Sequence, residues 1–355
     1  MSNELDDLVT KTSEWLRGVG PSSEIVVSSR MRLARNLEKF PFATRATDVS
    51  QAEVLRLTQE GLRQAPSLRK ALSLELDKLD EVNRQFLVER HLISREHAGQ
   101  PEHRGVVIGA GEVISVMINE EDHLRVQAMQ SGLNLREAWT LIDTLDDELS
   151  ELLPFAYSSD WGYLTCCLTN AGTGLRASVM VHLPALVITK QINKVLHAIT
   201  KLGLTARGLY GEGTEALGNF FQMSNQVSLG RSEEEIVENI ERILKQVIGH
   251  EQAAREHLMT NNRLQLEDRI WRAYGVLRHA QTISSNETLD LLSAVRLGVD
   301  LGLMASKNGK AIDRPTVNEV LILSQPAHLQ KLEGGRLSAQ ERDVKRATLI
   351  RERLH

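Results

Sequence analysis

The chain has 355 residues, of which 41% are hydrophobic and 25% charged, and its formal net charge is −5. This composition is ordinary for a globular protein, and the length predicts two domains. The acidic balance argues against a nucleic-acid-binding protein whose affinity comes from a broad basic face, so we expect no direct nucleic-acid partner.

The cysteines and the apolar stretches indicate where the protein resides. Cys166 and Cys167 are adjacent, so we expect neither a disulfide nor a structural zinc site, and a reducing compartment. The amino terminus is acidic and lacks the features of a signal peptide. The longest apolar stretch, around 179–188, is interrupted by His182 and Pro184 and is too short to span a bilayer. We therefore expect a soluble, cytoplasmic protein that does not enter a membrane.

Hydrophobic periodicity predicts a mixed region up to about residue 258. Helices are expected over 5–17, 49–64, 77–90, 134–153, 185–202 and 232–258. Strands are expected at 24–28, in a hairpin over 105–118, and at 162–168, 175–183, 205–209 and 220–229. This order favours an α+β fold in which helices flank a mainly antiparallel sheet.

Only helices are predicted beyond residue 260, over 262–280, 286–301, 315–323 and 338–354. Ser338 and Glu341 form a capping box that would begin the last of them. We therefore divide the chain into a mixed domain, 1–258, and an all-helical carboxyl-terminal domain, 259–355.

The standard phosphate-binding loops, GxxxxGK[ST] and GxGxxG after a strand, are absent from the sequence. A nucleotide would therefore have to be held by arginines, whose planar guanidinium groups match phosphate oxygens. The arginines that stand out are Arg30, Arg32, Arg125, Arg176 and Arg207. On a strand Arg30 and Arg32 would share one face, although each of the five alone is typical of a solvated surface.

Four segments together resemble the guanidino phosphotransferases, the family of creatine kinase and arginine kinase. They are SSRMR at 28–32, NEEDHLR at 119–125, CLTNAGTGLRASVMVHLP at 167–184 and RGLYGEG at 207–213. Those kinases carry a helical domain before the first segment, which this sequence lacks, and here a helical domain follows residue 260 instead. That arrangement resembles the bacterial protein arginine kinases, which phosphorylate arginine side chains of proteins.

The resemblance implies transfer of the γ-phosphoryl group of ATP to a guanidinium nitrogen, with Mg²⁺ as the metal. Glu121 and Glu212 would hold the guanidinium and Glu121 would accept its proton, with the Cys167 thiolate beside it. Without the motif, Glu121 would be interpreted as part of a solvated acidic turn and Cys167 as a small buried side chain, which is our interpretation of Cys166. We assign no protein ligand to Mg²⁺.

The resemblance also implies a set of ATP-binding residues. His91 is included as a candidate for the family's adenine-side histidine in RGIxH, where this chain has Ile108. The set comprises Ser28, Ser29, Arg30, Met31, Arg32, His91, Arg125, Arg176, Ala177, Ser178, Val179, Met180, Arg207, Gly208, Leu209, Tyr210 and Gly211.

The segment RDVKRA at 342–347 places Arg342 and Arg346 one helical turn apart. By itself it is typical of a charged amphipathic helix. It resembles the phosphoarginine-binding motif of the protein arginine kinases, in which Arg342, Asp343, Arg346 and Ala347 would bind the product and regulate activity.

Three hypotheses follow. The first is a protein arginine kinase; the others are a kinase of a free small guanidino compound and a catalytically silent adaptor that binds phosphoarginine. The resemblance implies protein substrates with accessible arginines, stress-response repressors among them, a small zinc-containing activator, a Clp-type ATP-dependent protease, and assembly into a homo-oligomer.

Overall fold

The computed structural model describes residues 5–208, 216–304 and 312–354. Its strands are β1 Val26–Arg35, β2 Leu72–Glu75, β3 Gly105–Ile108, β4 Ile114–Ile118, β5 Leu124–Ser131, β6 Tyr157–Ser158, β7 Gly162–Tyr163, β8 Leu175–His182, β9 Leu204–Gly208 and β10 Phe220–Asn225. Eight of them form one antiparallel sheet in the order β2-β3-β4-β5-β1-β8-β10-β9, and β6 pairs with β7 as a separate hairpin.

Helices surround this sheet and make up the carboxyl-terminal region. They are α1 Asp48–Gln64, α2 Glu81–Glu89, α3 Arg95–Gly99, α4 Leu135–Ser150, α5 Pro184–Ile188, α6 Ile192–Lys201, α7 Glu233–Asn261, α8 Arg263–His279, α9 Ser285–Asp300, α10 Arg314–Leu323, α11 Pro326–Glu333 and α12 Ala339–Arg353. The expected α+β fold, with an antiparallel sheet flanked by helices and a helical carboxyl-terminal region, is confirmed.

The two faces of the sheet differ because side chains alternate along a strand. Met31 and Leu33 of β1 are buried in the apolar core, on the face against which α4 packs. Arg30 and Arg32 alternate with them and point to the opposite face, where both line a cavity. One face of the sheet therefore carries the core, and the other is free to carry polar side chains.

Several helices begin where the sequence supplies an N-cap. Ser338 accepts a hydrogen bond from the backbone N–H of Glu341, whose side chain returns the bond, so the predicted capping box is present. A second capping box, formed by Ser232 and Glu235, begins α7.

The helical region packs directly on the sheet region. His182 at the end of β8 contacts Ser293 of α9 at 2.8 Å, and the Arg296 guanidinium donates to the carbonyl of Ser23 at 2.9 Å. The main apolar core is continuous, with members from Trp15 to Leu354.

The largest differences from the expected elements are in three places. The short helix expected over 5–17 is not continuous: residues 5 and 6 are helical, and the rest of this segment forms turns, loop and a 3-10 helix at Glu14–Leu16. The strand expected at 162–168 is limited to β7. The helix expected over 185–202 is divided into α5 and α6 at Lys190, whose φ of 60° is left-handed and ends a helix.

Other elements were not predicted, and β5 and β6 are among them. β2, α3 and α11 are four, five and eight residues long, too short for a clear periodic pattern. Among the described helices, none has the length and apolarity needed to cross a bilayer.

Candidate active site

The strands bring arginines from distant parts of the chain onto one face of the sheet. In the register of β1 and β8, Arg32 lies opposite Arg176 and Arg30 opposite Ser178. Arg125 of β5 lies opposite Ala34, two residues beyond Arg32. Arg30 donates to Ser178 Oγ at 3.3 Å and to Gln222 Oε1 at 2.9 Å. Adjacent strands therefore present a row of guanidinium groups on the face away from the core.

This row lines a cavity of ≈ 450 Å³. Its walls come from β1, β5, α2 and the start of α11, and include Arg30, Arg32, His91, Ser94, Arg95, Arg125, Gln127 and Gln325. Four arginines, Arg30, Arg32, Arg95 and Arg125, contribute to its lining, as expected for a site that holds phosphate oxygens.

Burial and the repulsion between neighbouring guanidinium groups make the positive charge of this cluster unfavourable when nothing is bound. Burial, together with the charges of Arg125 and Arg176, lowers the pKa of Arg30 to about 9. The pKa of Arg32 is also lowered, by burial and then by the charge of Arg30. In the described part of the chain, Nε of Arg32 and Nε of Arg176 are buried without a hydrogen-bond acceptor. A polyanion bound here would supply both the missing acceptors and the missing negative charge.

A smaller cavity of ≈ 50 Å³ adjoins the first and shares Arg32 and Arg125 with it. Glu121, Asn170 and Arg176 complete this part of the lining. Glu121 is exposed in the turn between β4 and β5. Desolvation and then the carboxylates of Asp122 and Glu120 raise its pKa. A raised pKa makes this carboxylate a better proton acceptor.

Sequence reasoning did not single out Glu120, although it organises the site. Both oxygens of this buried carboxylate lie 2.7 Å from the Arg125 guanidinium, and Ser94 Oγ donates to it at 2.7 Å. Burial acts to raise its pKa, but the Arg125 charge and these hydrogen bonds outweigh burial and lower the pKa to about 2. Glu120 is thus an ionised partner that fixes Arg125, while its neighbour Glu121 is left to face the small cavity.

Asp122 connects the Glu121 turn to the cysteine segment. Its buried carboxylate accepts from the amide of Asn36 at 2.6 Å and from the Cys166 backbone N–H at 2.8 Å. Both cysteines are free thiols. Burial and the charge of Asp122 raise the pKa of Cys166 to about 11, which agrees with an inert role. Cys167 is half-buried, and its Sγ lies 2.9 Å from Thr169 Oγ1.

Some predicted residues are placed less directly. Arg207 is exposed on β9 opposite Gln222, which lies on the arginine face. Ser28, Ser29, Met31, Ala177, Val179 and Met180 are buried within β1 and β8, and Gly208 ends β9. Glu212, Leu209, Tyr210 and Gly211 lie outside the described residues.

Because side chains alternate along a strand, those of Met31, Ala177 and Val179 point to the core face of the sheet. Ser29 lies on that face too, where its Oγ donates to the carbonyl of Gly132 at 2.8 Å. The structure does not bring these four side chains into either cavity.

His91 lines the larger cavity and has a left-handed φ of 60°. Its ring lies edge-on to Trp15 at 5.0 Å. Burial and then the charges of Arg30 and Arg95 lower its pKa to about 3. It is therefore a neutral, flat group at the end of the arginine row, which suits contact with an uncharged ring.

In the carboxyl-terminal motif, the Arg342 side chain reaches a cavity and the Arg346 side chain is buried. Arg342 lines a cavity of ≈ 410 Å³ together with Gln330 and Arg336. Arg346 is buried; it donates to the carbonyls of Ser324 and Ile283 and pairs with Asp343 at 2.5 Å. Ala347 is buried behind it. The two guanidinium groups of the motif thus do not share an open surface.

The described residues contain no group of three or more His, Cys, Asp or Glu side chains that could hold a metal. Glu120 is occupied by Arg125 and Ser94. This donor set fits a Mg²⁺ ion that arrives on nucleotide phosphates and keeps its waters, rather than one held by a protein cage.

Of the two site residues that the sequence analysis missed, Gln127 could have been found from the sequence and Glu120 could not. Gln127 lies two residues after Arg125 on β5, so strand periodicity alone places it on the arginine face; its amide donates to Ser115 Oγ at 2.7 Å. The pairing of Glu120 with Arg125 depends on the tight turn between β4 and β5, which no spacing rule specifies.

Comparison with protein families gives two matches that together cover most of the chain. The ATP:guanido phosphotransferase C-terminal catalytic domain matches residues 53–254. The protein-arginine kinase McsB C-terminal domain matches residues 263–355.

Individual proteins agree with the family matches. A protein-arginine kinase of Desulforamulus reducens is 51% identical over 97% of this chain and 96% of its own length. That of Halothermothrix orenii is 49% identical over 99% of both chains.

Solved structures are similar at lower identity. The duplicated taurocyamine kinase of Schistosoma mansoni with bound transition-state-analogue components has a TM-score of 0.61 at 28% identity, covering 66% of this chain and 34% of that one. Lombricine kinase has a TM-score of 0.58 at 25% identity, covering 71% and 77%. From these matches and the site geometry, the chain belongs to the ATP:guanido phosphotransferase family and, within it, to the protein-arginine kinases.

Proposed function

We propose that this chain transfers the γ-phosphoryl group of ATP to a guanidinium nitrogen of arginine side chains in proteins. The observation that carries the proposal is the junction of the two cavities, where Arg32 and Arg125 face the larger cavity on one side and Glu121 on the other. Phosphates in the larger cavity and a guanidinium beside Glu121 would meet at these two arginines. Full-length similarity to protein-arginine kinases supports a protein arginine as the acceptor.

The arginines would act on the phosphates and the carboxylates on the guanidinium. Arg30, Arg32, Arg125 and Arg176 would bind the triphosphate and offset the charge that spreads over the γ-phosphate oxygens during transfer. Glu121 would hold the guanidinium in line and accept the proton that its nitrogen loses. A nitrogen–phosphorus bond forms, the bond from the γ-phosphorus to the bridging oxygen breaks, and ADP leaves. Glu212 would be the second carboxylate and Cys167 would line the same site.

Mg²⁺ would accompany the nucleotide and neutralise part of the phosphate charge when bound. Among the described residues the arginines supply the remaining neutralisation. Their planar groups offer paired donors in a fixed geometry, which positions the phosphate as well as attracting it.

The site of regulation is also part of the proposal. We infer that phosphoarginine binds at the segment containing Arg342, Asp343, Arg346 and Ala347. Arg342 lies on a cavity large enough for the ligand, whereas Arg346 would have to exchange its present partners for the phosphate. Arg342→Ala should weaken phosphoarginine binding measured by calorimetry; unchanged affinity would place the ligand elsewhere.

The wider setting follows from the family alone. We propose a cytoplasmic homo-oligomeric enzyme that works with a small zinc-containing activator, marks proteins for a Clp-type ATP-dependent protease, and regulates stress-response repressors.

The choice of acceptor can be tested with two substrates. The chain is incubated with labelled ATP and either free arginine or an unfolded arginine-rich protein, and acid-labile arginine phosphate is sought by mass spectrometry under neutral handling. We expect label on the protein. Label on free arginine alone would support the small-molecule kinase, and label on neither, with phosphoarginine still bound, would support the silent adaptor.

A further inference from the structure

A group of exposed apolar side chains lies beside the smaller cavity. Leu168 is 85% exposed, Tyr157 62%, Trp161 60% and Leu229 40%. We call these four residues the apolar rim. Exposed apolar side chains on neighbouring segments commonly mark a site of interaction.

The fold brings the rim together from three segments. The β6–β7 hairpin, which carries Tyr157 and Trp161, bridges to Gly172 through Gly162. A Cβ on Gly172 would lie 2.9 Å from Leu229 Cα, so the third segment is in direct contact with the second.

Hydrogen bonds and close backbone packing hold these three segments together. Ser228 Oγ lies 3.1 Å from the carbonyl of Thr169 and 3.0 Å from that of Ala171. A Cβ on Gly162 would lie 2.4 Å from the carbonyl oxygen of Gly172, so only glycine permits this approach. The backbone that carries the rim is therefore already in place, which lowers the entropic cost of binding.

The rim is continuous with the proposed guanidinium site. Leu168–Asn170 is a single 3-10 turn that begins after Cys167. Asn170 lines the smaller cavity next to Glu121, while Leu168 at the other end of the same turn points its side chain into solvent. A group bound beside Glu121 thus lies close to the apolar surface.

We propose that the apolar rim binds apolar side chains that flank the target arginine in an extended segment of a protein substrate. The inference rests on the proposed function. Residues two apart in an extended chain lie on the same side, roughly 7 Å from each other. With an arginine inserted beside Glu121, its second neighbours would face the adjoining surface, where the rim offers apolar contact.

The position of the rim is the reason for proposing a substrate segment as its ligand. It borders the reacting site, so any protein that offers an arginine must pass close to it. Apolar contacts are non-directional and accept many sequences, and unfolded proteins expose the apolar side chains that folded proteins bury. A rim of this composition would therefore favour unfolded segments over arginines on a folded, polar surface.

The experiment compares two peptides of equal length, one with leucines and one with glycines at the positions flanking a single arginine. The full chain, its Trp161→Ser/Leu168→Ser variant and a matched Trp271→Ser/Leu264→Ser variant are assayed with both. Trp271 and Leu264 are likewise exposed apolar residues, on α8. All four substitutions are at exposed positions, and thermal unfolding checks that each variant folds.

We expect the rim variant to raise KM for the leucine peptide about tenfold, equivalent to about 1.4 kcal/mol, with kcat and the glycine peptide unchanged. The matched variant should behave as the unsubstituted chain. Equal effects on both peptides, or none on either, would overturn the inference. So would a rim variant that changes only the mass in sedimentation, since the rim would then join two copies. Phosphorylation of free arginine but of neither peptide would contradict the proposed function itself.

Discussion

Neighbouring residues in the turn between β4 and β5 have opposite electrostatic environments. Glu120 is buried against Arg125, and its pKa falls to about 2. Glu121 is exposed, and desolvation and the adjacent carboxylates raise its pKa. The first side chain is thus a permanent anion that orders an arginine, and the second can exchange a proton. Such a divergence between adjacent acids is typical of catalytic sites.

Glu121→Gln should lower kcat by about 10²–10⁴-fold, the usual contribution of a positioned base, with a smaller effect on KM for ATP. The base acts in its ionised form, so activity of the unsubstituted chain should fall as pH decreases through the raised pKa. The acid limb of kcat/KM should therefore lie above the ordinary glutamate value of 4.5. Initial rates across a pH series measure both effects.

Glu137→Gln is the matched control, because Glu137 is an exposed glutamate on α4. It should leave the rate and the pH profile unchanged. If Glu121→Gln retained full activity, the proton acceptor would have to be another group.

At the scale of elements, the contact between α2 and α11 joins the sheet region to the helical region. Glu89 at the end of α2 accepts from the backbone N–H groups of Ala327 at 2.8 Å and His328 at 2.9 Å, and contacts His328 Nδ1 at 2.7 Å. A carboxylate at this position satisfies N–H groups that a helix start leaves open and interacts favourably with the helix dipole.

Glu89→Ala should lower the free energy of unfolding by about 1–2 kcal/mol, the usual cost of losing a helix cap. Amide hydrogen exchange should accelerate at the start of α11. Glu81→Ala is the control, because Glu81 also lies on α2 but is exposed, and its ion pair with Arg336, at 3.7 Å, is long and solvated. Equal destabilisation by both substitutions would contradict a capping role for Glu89.

The same scale shows what the sequence could predict. The long periodic helices α1, α4 and α7 and the β3–β4 hairpin were expected from the sequence, because local patterns specify them. The contact between Glu89 and His328 joins residues 239 positions apart, and no local signal encodes it. The apolar rim was missed for a related reason, since the segments that carry Trp161, Leu168 and Leu229 are brought together only by tertiary contacts.

On the scale of the whole molecule, the two regions share one core. Ser293 contacts both His182 of β8 and the Asn219 amide, each at 2.8 Å. Because these contacts and the apolar core cross residue 258, we expect unfolding of the sheet region and the helical region to be coupled. The division into 1–258 and 259–355 remains a prediction about sequence organisation, and the packing alone does not make either part independent.

Acid should weaken this shared structure through buried histidines. Burial and the charges of Arg296 and Arg255 lower the pKa of His182 well below its ordinary value. Burial outweighs the hydrogen bond that the His97 ring donates to the Gly105 carbonyl and lowers the pKa of His97 to about 4. In the unfolded chain both would titrate near 6.5, so below that pH the unfolded state binds protons that the folded state does not. The free energy of unfolding should therefore fall as pH drops below 6.5, with a slope that approaches about 1.4 kcal/mol per pH unit for each such histidine.

Urea unfolding at a series of pH values between 6.5 and 5 measures this slope. His182→Gln keeps an amide able to contact Ser293 but cannot be protonated, so its slope should be smaller than that of the unsubstituted chain, by about 1 kcal/mol per pH unit over this range. His257→Gln is the control, because His257 is exposed on α7 and its loss should leave the slope unchanged. Should His182→Gln retain the full slope, His182 would have to be accessible to protons in the folded state. The interface between β8 and α9 would then open before the rest of the core, and the two regions would unfold separately.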